Sequence, residues 1–101
     1  MFFNRIPAVS IKQLEQKLVE SPTIIDVRTP QEFVSGHIPG AKNVPLNKIG
    51  SFQPKGFVYV ICQTGGRSRR ATKELTDKGY EAMNVKGGMV RWKGKIRGGK
   101  L

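Results

Sequence analysis

The longest uninterrupted hydrophobic run in the chain is Phe57-Val58-Tyr59-Val60-Ile61. A run of that length predicts a strand buried on both faces, as in the middle of a parallel sheet. Thr23 to Val27 is a shorter β-branched run of the same kind, broken near its end by Asp26 and Arg28. Tyr80 to Val85 offers another strand, and Val44-Pro45 a brief edge strand, where the missing proline N–H is tolerated. Between these runs the apolar period lengthens to that of a helix. Ser10-Ile11-Lys12-Gln13 reads as a capping box, after which Ile11, Leu14, Leu18 and Val19 make one apolar face that stops at Ser21-Pro22. Thr29-Pro30-Gln31-Glu32 repeats the signal, with Thr29 at the N-cap, Pro30 at the first helical position, Glu32 completing the box and Gly36 closing a helix of barely two turns. Pro39-Gly40 reads as a type II turn, and residues 46–56 as mostly connection. Ser68 is placed to cap a third helix running toward Lys78, with Ala71 and Leu75 facing inward and Gly79 as its stop. Gly87-Gly88 precedes a last short helix that would bury Met89 and Trp92 as core closure.

Strands alternating with short helices predict an α/β fold, with a parallel sheet covered on both faces. At 101 residues and without an internal repeat, the chain is expected to form one domain over 1–101, its basic, glycine-rich end at 94–101 fraying as a flexible tail. The opening Met1-Phe2-Phe3-Asn4-Arg5-Ile6-Pro7 has too short an apolar run for a secretory signal. No stretch reaches the roughly 20 apolar residues of a membrane span, so a soluble, cytoplasmic protein without membrane association is expected. A single cysteine excludes an internal disulfide and a cysteine cluster for zinc, and a single histidine excludes most other ligand sets; neither metal nor cofactor is expected. Eighteen Lys and Arg against seven Asp and Glu give a net charge of +11, a field that draws in anions. Charge alone does not separate a small oxyanion, an acidic protein and a nucleic acid as partners.

Cys62 stands directly after the strongest strand, and Cys62-Gln63-Thr64-Gly65-Gly66-Arg67-Ser68 leads from it into a helix. That places the cysteine at the carboxyl edge of the sheet, where open α/β folds mount their sites. Two glycines let the backbone turn sharply and point successive N–H groups inward as an anion nest, to which the helix dipole adds partial positive charge. Arg69 and Arg70 in the first turn oppose that dipole and suit an anion site better than a helix. Such surroundings favour the thiolate, the nucleophilic form of cysteine, without a histidine base. The plain alternative is a small buried hydrophobe at a strand end, which leaves the glycines and arginines without purpose.

The loop resembles that of the rhodanese-like sulfurtransferases, whose active segment reads Cys-x-x-Gly-x-Arg before a helix; here it is Cys62-Gln63-Thr64-Gly65-Gly66-Arg67. The resemblance continues through Ile25-Asp26-Val27-Arg28, Glu32-Phe33, the segment Gly36 to Pro45, the strand 57–61, Ser68, Ala71, Leu75, Gly79-Tyr80, and Gly87-Gly88 with Trp92. It implies a three-layer α/β/α sandwich around a five-stranded parallel sheet, and a Cys62 that carries sulfane sulfur as a persulfide. It further implies a small anionic donor such as thiosulfate and a cyanide or thiol acceptor, with Gln63, Thr64, Gly65, Gly66, Arg67 and Ser68 forming the substrate cradle. Basic Gly94-Lys95-Ile96-Arg97-Gly98-Gly99-Lys100 departs from the family's usual Gly-x-Pro ending.

Two other readings compete. Cysteine phosphatases share this type of loop but space it Cys-x5-Arg; the Cys-x4-Arg here should make too small a cradle for phosphate oxygens. A sulfur-delivery module would instead use its basic surface to dock an acidic protein and turn over few small molecules; direct nucleic-acid binding is not expected, since no RNA-binding motif accompanies the scattered lysines. Asp26 and Arg28 read as structural, with Arg28 paired to Glu32, and His37 as a turn residue held by a backbone hydrogen bond rather than a catalytic base.

Overall fold

A computed structural model of the chain describes residues 5–99; Met1–Asn4, Lys100 and Leu101 lie outside them. Five strands, β1 (Ala8–Val9), β2 (Ile24–Asp26), β3 (Lys42–Asn43), β4 (Val58–Ile61) and β5 (Ala82–Val85), form one sheet in the order β1-β5-β4-β2-β3. All four pairings are parallel. The helices are α1 (Ile11–Lys17), α2 (Pro30–Ser35) and α3 (Gly66–Asp77), with 3-10 turns at Leu18–Glu20, Leu46–Ser51 and Met89–Arg91. No helix among the described residues is long and apolar enough to cross a membrane.

The unbroken apolar run at the centre of the chain is explained by the two cores it serves. Successive side chains of a strand point to opposite faces, and β4 divides accordingly. Val58, Val60 and Cys62 join Ile25, Val27, Ala71 and Leu75 on the face covered by α3. Tyr59 and Ile61 join Leu14, Ile24, Ile38, Val85 and Trp92 on the face covered by α1. Apolar area on both sides of a central strand contributes roughly 25 cal/mol per Å² buried, so a polar residue is tolerated on neither face of β4. The expected three-layer α/β/α sandwich and its five-stranded parallel sheet are both present.

Both capping boxes form as the sequence pattern requires: Ser10 with Gln13, and Thr29 with Glu32. Four local expectations are corrected. Val19, assigned to the apolar face of the first helix, is 89% exposed. The last turn there tightens into the 3-10 segment Leu18–Glu20, whose turn of about 3.0 residues carries Val19 off the α-helical stripe. The edge strand expected at Val44-Pro45 pairs two residues earlier, at Lys42–Asn43, while Val44 turns into the core. Ser68 is not the N-cap of α3 but its third residue; the cap position is Gly65, at φ 113°. Residues 94–99 are tied down rather than frayed: His37 and Arg97 exchange backbone hydrogen bonds of 2.9 and 2.8 Å, the Gly99 N–H donates to the Val34 carbonyl, and the Trp92 indole donates to that of Lys95. The two-residue strand β1 carries too little pattern to be read from the sequence.

Candidate active site

The loop after β4 is flanked by the carboxyl ends of β2 and β5, so each neighbouring strand contributes a residue that holds it. Cys62 sits at its base, and its Sγ accepts hydrogen bonds from the Gly65 N–H at 3.1 Å and the Ser68 N–H at 3.3 Å. These are N-terminal amides of α3, which have no carbonyl a turn behind them to accept. The sulfur therefore occupies the place that a capping oxygen takes in other helices, and the partial positive charge of the helix start faces it. This is the electropositive setting the sequence predicts, reached with Ser68 contributing its backbone amide and not a side-chain cap.

Ser68 also brings its hydroxyl to the sulfur, 3.3 Å from Sγ, and is wholly buried. The same Oγ lies 2.5 Å from Asn84 Oδ1, on β5, and 3.1 Å from the Gly65 carbonyl. A hydroxyl has one proton to give. Donated to Asn84, it leaves an Oγ lone pair for the thiol S–H; turned toward the sulfur, it becomes a third donor to a thiolate. Asn84 had no place in the sequence reading, and its only signal is a polar residue inside the apolar stretch 80–85.

Two ion pairs fix the loop from the β2 side. The buried Arg28 guanidinium grips the Asp26 carboxylate through Nε, at 3.0 and 3.1 Å from Oδ1 and Oδ2, and through Nη2 at 2.8 Å from Oδ2. It then spends its remaining donors on Gln63 Oε1 at 3.1 Å and the Gly36 carbonyl at 2.7 Å. The expected Arg28–Glu32 pair is thus replaced by a pair with Asp26, the last residue of β2, whose carboxylate also accepts from the Arg28 backbone N–H at 3.0 Å. Glu32 is instead claimed by Arg67, in two parallel bonds of 2.8 and 2.9 Å. The Arg67 hydrogen bonds hold the Glu32 carboxyl down at about 2, against burial that works the other way, and the same contact raises the Arg67 guanidinium. The Arg67 side chain is therefore bonded to the start of α2 rather than waiting for a ligand.

His37 Nδ1–H donates to the Phe33 carbonyl (2.8 Å) and the ring stacks on that of Phe33 at 3.7 Å, which is the structural role expected of it. No group of metal-ligating side chains occurs among the described residues. Gln63, Gly65 and Arg67 are half-buried, and Thr64 and Gly66 exposed, around a Cys62 of zero exposure. The sulfur is thus closed over in this conformation, which the sequence does not anticipate. A surface cleft of about 900 Å³, lined by Thr29, Asn43, Pro45, Arg67 and Arg70 among others, runs beside the loop, and Cys62 is not part of its lining.

The sequence matches the Rhodanese-like domain family over residues 10–95, and the chain belongs to it. The uncharacterized protein YqhL of Bacillus subtilis (strain 168) is 45% identical over 85 residues, which cover 76% of this chain and 65% of that one. The putative sulfurtransferase YtwF of the same organism is 32% identical over 99 residues, covering 91% and 95% respectively. A crystal structure of a rhodanese-like domain protein from Staphylococcus aureus superposes with a TM-score of 0.82 at 34% identity, over 93% of this chain and 99% of that one. The chain spans less than two thirds of the length of YqhL and about half or less of several other relatives it matches.

Proposed function

We propose that the chain transfers sulfane sulfur through a persulfide on Cys62. The observation that carries this reading is the pair of α3 amides donating to Sγ at 3.1 and 3.3 Å. In the first half-reaction the Cys62 thiolate attacks the outer sulfur of thiosulfate. A Cys62–sulfur bond forms, the thiosulfate sulfur–sulfur bond breaks, and its electron pair leaves with sulfite. In the second, cyanide or a thiolate attacks the terminal sulfur of the persulfide, and the electron pair of that bond returns to Cys62. Splitting the transfer into two displacements is covalent catalysis, and since both resting forms are anions one set of amides serves both. Gly66 and Arg67 N–H are further first-turn amides of α3. Cys62 is the sole cysteine, so the acceptor comes from outside the chain.

Enclosure of Sγ adds a step: Gln63, Thr64 and Gly65 move aside before a donor reaches it. The phosphatase reading gains no support, because the Arg67 guanidinium that would grip phosphate is bound to Glu32. Delivery to an acidic protein acceptor is favoured by the exposed Arg69 and Arg70 in the first turns of α3, next to the loop.

Mass spectrometry tests the central reading. Thiosulfate adds the mass of one sulfur to the protein, cyanide removes it, and Cys62→Ser shows neither. An unchanged mass after thiosulfate, with persulfide loading from a protein donor, would leave sulfur delivery in place of thiosulfate turnover.

A further inference from the structure

A second opening, of about 430 Å³, lies behind the loop, lined by Thr64, Gly66, Arg69, Asn84 and Lys86 with apolar residues of the β1 edge. Its polar lining is made of donors. Arg69 and Lys86 are exposed and unpaired with any carboxylate among the described residues, and no Asp or Glu lines the opening. Asn84 is the telling member. It is 5% exposed, and its Oδ1 is taken by Ser68, while its Nδ2 has no acceptor among the described residues. Every fully buried side-chain nitrogen or oxygen among the described residues is hydrogen-bonded, so Nδ2 keeps solvent access, and Asn84 lines this cleft. A nine-tenths-buried amide that lacks an acceptor costs free energy unless a ligand or solvent supplies one.

We propose that this cleft is a subsite for small oxyanions, with Arg69, Lys86 and Asn84 Nδ2 as its donors. Two cations and an amide converging without a carboxylate select an acceptor-rich anion over a neutral or cationic ligand. The subsite adjoins the sulfur. Gly65 both lines the cleft and donates to Sγ, and Asn84 reaches Sγ through the Ser68 hydroxyl. An anion drawing on Asn84 therefore acts on the group that competes with the sulfur for the Ser68 proton. Sulfite, released when thiosulfate loads Cys62, has the required size and charge; that choice of ligand rests on the proposed reaction, whereas the anion site does not.

Sulfite, sulfate and chloride are titrated separately into wild-type protein and Cys62→Ser, with backbone amide shifts and the Asn84 side-chain NH2 signals as readout. Saturable shifts at Gly65, Gly66 and Asn84 are expected with sulfite and sulfate, and weaker ones with chloride. Arg69→Gln/Lys86→Gln raises the sulfite Kd at least about tenfold, while Lys55→Gln/Lys95→Gln, with the same loss of charge, leaves it within about twofold. Absence of saturable shifts at Gly66 and Asn84, or equal weakening in both double variants, overturns the subsite. If sulfite binds as described but thiosulfate never loads Cys62, the donor assignment fails and the subsite stands. If loading proceeds while sulfite perturbs none of these signals, the reverse holds.

Discussion

Cys62 performs the capping task for α3 that Ser, Thr or Asp performs elsewhere, and a sulfur in that position is at once anchored and polarised. The anchoring has a kinetic consequence. Opening the loop breaks the contact between Arg28 and Gln63 Oε1, a bond to a charged group contributing about 1.5–3 kcal/mol. Gln63→Ala should therefore speed alkylation of Cys62 by a small haloacetamide by roughly tenfold or more, and lower Tm by several degrees as the buried Arg28 loses an acceptor. An unaltered rate would mean that the segment does not gate the thiol. Gly88 is the second residue whose chemistry is dictated by the loop. At φ 64°, a Cβ there would lie 2.5 Å from the Gln63 carbonyl and 2.6 Å from that of Cys62. Gly88→Ala is expected to cost at least about 1–3 kcal/mol in denaturant unfolding and to lower persulfide loading, because the displaced atoms belong to the site itself.

At the scale of elements, the loop is held between three of them by polar contacts of different kinds. The Asp26–Arg28 pair at the carboxyl end of β2 is buried, with both groups satisfied. Removing one partner leaves an uncompensated charge, so Arg28→Ala should destabilise by about 3–5 kcal/mol, measured by urea titration. The Glu32–Arg67 pair between α2 and α3 is half-exposed and tunes stability through pH. Its carboxyl lies at about 2 when folded, against a usual 4.5. A depressed acid stabilises the fold above its unfolded value and loses that contribution as pH falls through the folded one. Wild type should therefore lose stability relative to Glu32→Gln between pH 4.5 and about 2, and parallel curves for the two proteins would contradict the pairing. The Asp26-x-Arg28 spacing and the Thr29–Glu32 box were visible as patterns, but not their partners. Which carboxylate meets which arginine depends on where β2 and α3 come to lie.

Across the whole molecule, a +11 charge surrounds a site that the proposed reaction supplies with anions. Loading of Cys62 by thiosulfate should slow as salt rises from about 0.01 to 0.15 M, where the screening length falls from about 30 to 8 Å. A loading rate indifferent to ionic strength would show that the field does not steer the donor. The segment 94–99 closes the far end, packing Ile96 against Gly36, whose carbonyl is bonded to Arg28. The tail's charge and glycine content point to fraying; its backbone bonds to Val34 and His37 become available only once the end of α2 has been brought alongside.

From sequence alone came the α/β class, the two capping boxes, the central two-sided strand and the position of Cys62 at its end, because each is written in near-neighbour spacing or in an unbroken apolar run. The tertiary structure decided the closure of the loop over Cys62, the partners of Arg28 and Arg67, and the place of Asn84. The bonds of Arg28 to Gln63, Arg67 to Glu32 and Ser68 to Asn84 join residues 16 to 35 apart. The pitch of a helix and the pleat of a strand extend over a few residues, and contacts at that separation are set only when strands from distant parts of the chain pack side by side.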